Sequence, residues 1–212
     1  MIKAVFWDFG GVITSSPFES FNRFEANNKL PENFLRTVNS TNPDNNAWAK
    51  LEKTEVGIEE FSDLFLEESK ALGHPVPGKE VIALLKGEVR PEMINALNII
   101  KGKMIQACLT NNIQAMDKEF VGNVSASGKH NEIMELFDFV IESSKENVRK
   151  PDPRFYLLAC KRANIEPSEA IFLDDLGINL KPAKEMGMTT IKVIDPGIAL
   201  KELESYLPFK IR

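Results

Sequence analysis

Cysteine and histidine are almost missing from this chain of 212 residues, which carries two of each. So few cysteines cannot staple a disulfide scaffold. Cys108 and Cys160 each sit inside an apolar run and read as buried free thiols in a reducing compartment. His74 and His130 fall in glycine-bearing loops with no partner at metal-ligand spacing, which leaves both as surface residues. Long apolar runs are absent too, none approaching the roughly 20 residues that a membrane-crossing helix needs. The opening MIKAVFWDFGGVIT meets an acidic residue within a short apolar run and does not read as a signal peptide. Positive charge is in deficit, 26 Lys and Arg against 31 Asp and Glu, so the net charge of -5 offers no basic patch to nucleic acid or to a membrane. Repeats and low-complexity tracts are also missing. These absences leave a cytoplasmic globular protein as the expectation.

What is present is an alternation. Apolar, β-branched runs at Ile2 to Trp7, Met104 to Leu109, Phe137 to Ile141, Ala170 to Leu173 and Thr189 to Ile194 have the character of strands buried on both faces. Helical patterns at Pro91 to Ile100, Pro153 to Ala163, Leu180 to Met186 and Ile198 to Tyr206 lie among them. The pattern predicts an α/β fold, a doubly wound, mostly parallel sheet with helices on both faces. From Ser16 to Glu88 the rhythm breaks. Helix-like stretches at Pro17 to Ala26, Pro31 to Val38, Asp44 to Thr54 and Ile58 to Leu72 follow one another, punctuated by Pro43, Gly57, Gly73-His74-Pro75 and Pro77-Gly78. The expected organisation is therefore a core of residues 1–15 and 89–212 with an all-helical cap, 16–88, inserted after the first strand. Phe18, Phe21, Phe24, Trp48 and Phe65 stand at helical spacing and are predicted to form mostly the core of that cap, Trp48 being the least settled of them. Val121 to Asn131, with two glycines and several small polar residues, reads as a loop.

In a doubly wound sheet the ligand crevice lies at the carboxyl ends of the strands, so polar residues just after strands are the ones to inspect. Four positions qualify: Asp8, Thr110-Asn111, Lys150 and Asp174-Asp175. Each has an ordinary alternative as a turn former, a helix cap, a solvated lysine or a helix-dipole partner. Two adjacent carboxylates at a strand end, however, repel each other, and a nearby cation relieves that repulsion.

Taken in order, the stretches VFWDFGGV (5–12), CLTN (108–111), RKPDP (149–153) and IFLDDLG (171–177) resemble the four motifs of the haloacid dehalogenase (HAD)-like hydrolase superfamily. RKPDPRFY (149–156) and FLDDLGINLKPAKEMGMTT (172–190) resemble in particular the phosphatase-like N-terminal domain of soluble epoxide hydrolases and of related acyl-CoA dehydrogenase fusions. The resemblance implies phosphomonoester hydrolysis of a small phosphorylated metabolite, with Asp8 as covalent nucleophile and Mg²⁺ held by Asp8, the Gly10 carbonyl and Asp175. It implies that Thr110, Asn111 and Lys150 meet the phosphoryl oxygens, that Gly11 lets the backbone approach the ligand, and that Asp174 orients the site. One position departs from the family pattern, which places a second Asp for acid-base work two residues after the nucleophile, where this chain has Gly10. An acid from the helical segment, with Glu19, Glu25 and His74 among the candidates, a relayed water or a substrate with a good leaving group would have to make up for it. A metal-independent 2-haloacid dehalogenase fits the missing Asp but not the acidic pair, and a catalytically weak domain that binds a phosphorylated ligand or a protein is the third reading.

Overall fold

Five parallel strands make one sheet in the computed structural model, which describes residues 1–52, 55–85, 87–111 and 129–211. They are β1 (Ala4–Trp7), β2 (Ile105–Thr110), β3 (Phe139–Glu142), β4 (Ala170–Asp174) and β5 (Thr189–Lys192), ordered β3-β2-β1-β4-β5. The chain builds outward from β1 to β3, then returns to the other side of β1 for β4 and β5. The strand order thus reverses at β1 and β4, where doubly wound sheets open their ligand crevice. Register aligns Trp7 with both Cys108 and Leu173, so the ends of β1, β2 and β4 lie level.

Strand alternation divides the apolar residues between the two faces. Val5 and Trp7 join the core formed with α6 (Pro91–Ile100) and α11 (Pro196–Tyr206), through Met93, Leu97, Leu200 and Leu203. Ala4 and Phe6 face α9 (Pro153–Ala163) and α10 (Gly177–Glu185), through Phe155, Tyr156, Leu180 and Ala183. A side chain the size of Phe6 or Phe172, both fully buried, contributes about 1.5–3 kcal/mol by burial. The two cysteines are buried free thiols in different cores, Cys108 with the first set and Cys160 with the second. Short helices α7 (Lys129–Met134) and α8 (Ser143–Glu146) flank β3 in sequence. α10 begins three residues before its predicted start, at Gly177, and runs through Pro182.

The chain divides into two compact units, one containing the sheet and the other Ser16–Gly87. Within the sheet unit, residues 13–15 and 88–90 run antiparallel, with Ser15 N–H donating to the Glu88 carbonyl at 2.8 Å and Arg90 N–H to that of Ile13 at 2.9 Å. The second unit is helical among its described residues: α1 (Pro17–Asn27), α2 (Phe34–Ser40), α3 (Ala47–Glu52), α4 (Ile58–Ala71) and α5 (Gly78–Leu84). Helix α5 was not expected, because Pro77-Gly78 reads as punctuation. Pro77 instead caps the helix, and Gly78 lets it pack so closely that a Cβ there would lie 2.6 Å from the Ser62 Cα. Phe21 and Phe65 are buried in this unit's core, with Phe18, Phe24 and Trp48 packed on it; the Trp48 ring meets Phe61 edge-on.

Glu19 and Glu25 have structural partners here. Glu19 completes a capping box with Ser16 at the start of α1. Glu25, almost wholly buried, accepts the N–H groups of Asn33 and Leu35 at 2.8 and 2.9 Å and so caps α2. His74 is half-buried and packs edge-on against Phe34. The side chain of His130, and residues 121–128 of the expected loop, lie outside the described residues. Among the described residues no helix is long and apolar enough to cross a membrane.

Candidate active site

At the end of β1 the chain turns sharply through Phe9–Ile13, closed by Thr14 N–H donating to the Phe9 carbonyl at 3.0 Å. Asp8 stands at the head of this turn, where its own N–H donates to the Leu173 carbonyl on β4. Its Oδ1 accepts the Phe9 N–H at 2.7 Å and the Lys150 ammonium at 2.8 Å. Among the described residues Oδ2 receives no hydrogen bond. Gly11, at φ +79°, allows the turn to double back against the acidic pair: a Cβ there would lie 2.3 Å from Asp175 Oδ2.

Lys150 brings a buried cation to the site. It is 1% exposed, and its ammonium bridges Asp8 Oδ1 and Asp174 Oδ2, each at 2.8 Å, with the Phe172 ring 5.5 Å away. Burial alone would lower its pKa, but the two carboxylates hold it above the ordinary lysine range. For Asp8, burial is the largest influence and pushes its carboxyl up to about 8; Asp174 and Asp175 push the same way, and Lys150 pulls it down.

Asp174 is fully buried and saturated. Its Oδ1 accepts the Leu176 N–H at 2.8 Å, its Oδ2 accepts Lys150, and both oxygens accept the Asn179 amide at 3.1 Å. Asn179 is a site residue that the sequence reading missed. It lies on the first turn of α10, five residues after Asp174, in a stretch read as preceding the helix. Asn111 is also more specific than expected, since both ends of its side-chain amide bind the Lys150 backbone, at 2.9 and 3.0 Å. Thr110 ends β2 half-buried, and among the described residues its hydroxyl has no hydrogen-bond partner.

Asp8, Asp174 and Asp175 each offer an oxygen within 4.8 Å of the others. Oxygen-only donors clustered in this way suit a hard divalent cation such as Mg²⁺.

The model of the haloacid dehalogenase-like hydrolases matches residues 2–187. The chain belongs to that family. Among its relatives, mouse (Mus musculus) acyl-CoA dehydrogenase family member 10 is 36% identical over 99% of this chain, which spans 19% of that protein. Mouse bifunctional epoxide hydrolase 2 is 30% identical over 96% of the chain, which spans 38% of it. The sesquiterpene phosphatase astK of Aspergillus oryzae is 27% identical over 95% of the chain and 94% of its own length. Among solved structures, a HAD family enzyme of Bacteroides thetaiotaomicron in complex with magnesium and inorganic phosphate shares the fold, with a TM-score of 0.59 at 22% identity over 91% of this chain and 94% of that one. The protein is thus a HAD-like hydrolase, with the parallel α/β core of that family and the acidic pair beside the first-strand Asp.

Proposed function

We propose that this HAD-like hydrolase cleaves phosphomonoesters of small metabolites through an aspartyl-phosphate on Asp8. The observation that carries the reading is the state of Asp8, whose Oδ1 is fixed by Phe9 N–H and Lys150 while Oδ2 is left without a hydrogen bond among the described residues. An oxygen held in this way keeps a lone pair for attack on phosphorus. The near full-length match to a phosphatase supports the same chemistry.

Asp8, the Gly10 carbonyl and Asp175 would hold Mg²⁺, and the cation would supply charge neutralisation among the carboxylates and favour ionised Asp8. Lys150 places a fixed positive charge beside the nucleophile, where it offsets the carboxylates that an anionic phosphoryl group meets. The Thr110 hydroxyl and the backbone around Gly11 and Asn111 supply donors to the phosphoryl oxygens. Asn111 and Asn179 are positioning residues, the first pinning the Lys150 backbone and the second holding Asp174 against the Lys150 ammonium. Substrate selection falls to the helical unit as a cap. The clustering of three carboxylates disfavours metal-free attack on an anionic haloacid. Two buried thiols without a disulfide fit a reducing, cytoplasmic setting.

The test is hydrolysis of p-nitrophenyl phosphate with Mg²⁺ or with chelator. Asp8→Asn should lower kcat by roughly 10⁴-fold or more, the scale seen when a nucleophile is removed, and chelation should abolish turnover. Activity retained by Asp8→Asn would sink the covalent route, and turnover that survives chelation would sink the metal site.

A further inference from the structure

We propose that this site acts on phosphates of acidic leaving groups, those that depart as anions without first taking a proton: acyl, enol and aryl phosphates and phosphoanhydrides. The proposal names a substrate class for the site just described and rests on that reading.

When an alkyl phosphate breaks, the electron pair of the P–O bond falls on an alkoxide, and an acid that protonates it contributes about 10²–10⁴ in rate. Among the described residues of the sheet unit, the site offers no such acid. Asp8 is the nucleophile. The Lys150 ammonium is directed into Asp8 and Asp174. Asp174 has both oxygens engaged by Lys150, Asn179 and the Leu176 N–H. The Asp175 carboxylate packs against Gly11 and belongs to the cation site. The buried Tyr156 hydroxyl donates to the Asn179 carbonyl at 2.7 Å, and Glu142, at the end of β3, pairs with Lys145.

Position 10, in the same turn as Asp8, has room for a side chain. Gly10 has φ −70° and ψ 130°, angles that any residue adopts, and a Cβ built on it meets nothing within 4 Å. Its neighbour Gly11 is glycine by necessity, whereas Gly10 is not. The backbone admits a carboxylic acid at position 10, and the chain carries none.

The reaction balances without it. Asp8 Oδ2 forms a bond to phosphorus while the P–O bond to the leaving group breaks, and the leaving group departs with the electron pair as a carboxylate, enolate, phenolate or phosphate. Water then attacks phosphorus, the P–O bond to Asp8 breaks and restores the carboxylate, and the water's proton passes to solvent.

The experiment is kcat/KM, with Mg²⁺, across a series of aryl phosphates from dinitrophenyl to phenyl, together with acetyl phosphate and glycerol phosphate. The native chain should lose at least ~10²-fold in kcat/KM from the most acidic to the least acidic leaving group. Gly10→Asp should flatten the series by raising its slow end, and Gly10→Asn, the same size without the proton, should leave it steep. A flat series in the native chain would overturn the proposal. So would a Gly10→Asp variant that melts like the native chain yet stays steep. If Gly10→Asp does not fold, the native slope alone decides. Absence of turnover on every ester, acetyl phosphate included, would instead overturn the phosphoryl-transfer reading itself, and the proposal with it.

Discussion

Asp8 shows how a site residue can work against the fold that holds it. Its carboxyl moves from 3.8, the ordinary value, to about 8 in the folded chain, through burial first and then the neighbouring carboxylates. An acid whose folded pKa is raised binds its proton more tightly folded than unfolded, so its contribution to stability is full below 3.8 and is lost as pH rises through about 8. Asp8→Asn has nothing to titrate there. With chelator present, urea melts should therefore show the variant gaining on the native chain as pH rises across that window, by an amount on the order of a few kcal/mol. A difference that stays constant with pH would refute this account. Lys150 does not blur the window, because its pKa is raised above 10.5 and its contribution is lost only at higher pH.

At the scale of elements, helix ends absorb polar residues that would otherwise look chemical. Asn33 opens α2 at φ 61° and makes no side-chain cap of its own; Glu25 does that work from α1. Glu25→Ala strands a buried N–H, that of Leu35, and a half-buried one, that of Asn33, and should cost about 1–3 kcal/mol in a urea melt, while Glu25→Gln, which keeps an acceptor, should cost less. Loss of kcat/KM at unchanged stability would mark Glu25 as a chemical group instead. The head of α10 does the same for the site, since starting at Gly177 puts Asn179 one turn in and within reach of Asp174.

At the scale of the molecule, each unit carries its own apolar core, and the acidic cluster belongs to the sheet unit alone. A ligand bound by the folded state at 100 times its Kd adds about 2.7 kcal/mol, or roughly 5–10 °C in Tm for a chain of this size. Saturating Mg²⁺ should raise the melting transition that carries the sheet by that order, and Asp175→Asn should reduce the rise. A native chain whose Tm ignores Mg²⁺ would show that the three carboxylates do not form a divalent-cation site.

The sheet, its order of strands and helices, and the strand-end positions of Asp8, Thr110 and Asp174 were legible in the sequence because hydrophobic periodicity and chain punctuation are local properties. Helix α5 was hidden because Pro77-Gly78 serves equally as a break and as a helix start, and only the packing of Gly78 against Ser62 distinguishes the two. What the tertiary structure alone decided is which side chains meet across strands. It put Lys150 between Asp8 and Asp174, turned the Asn111 amide onto the Lys150 backbone, and brought Asn179 to Asp174. It also separated two adjacent glycines, one with no room for a side chain and one with room to spare. The contacts of Lys150 and Asn111 join residues tens to more than a hundred positions apart, and that of Asn179 depends on where α10 starts. Their distances follow from how helices pack on the sheet, which no local pattern encodes.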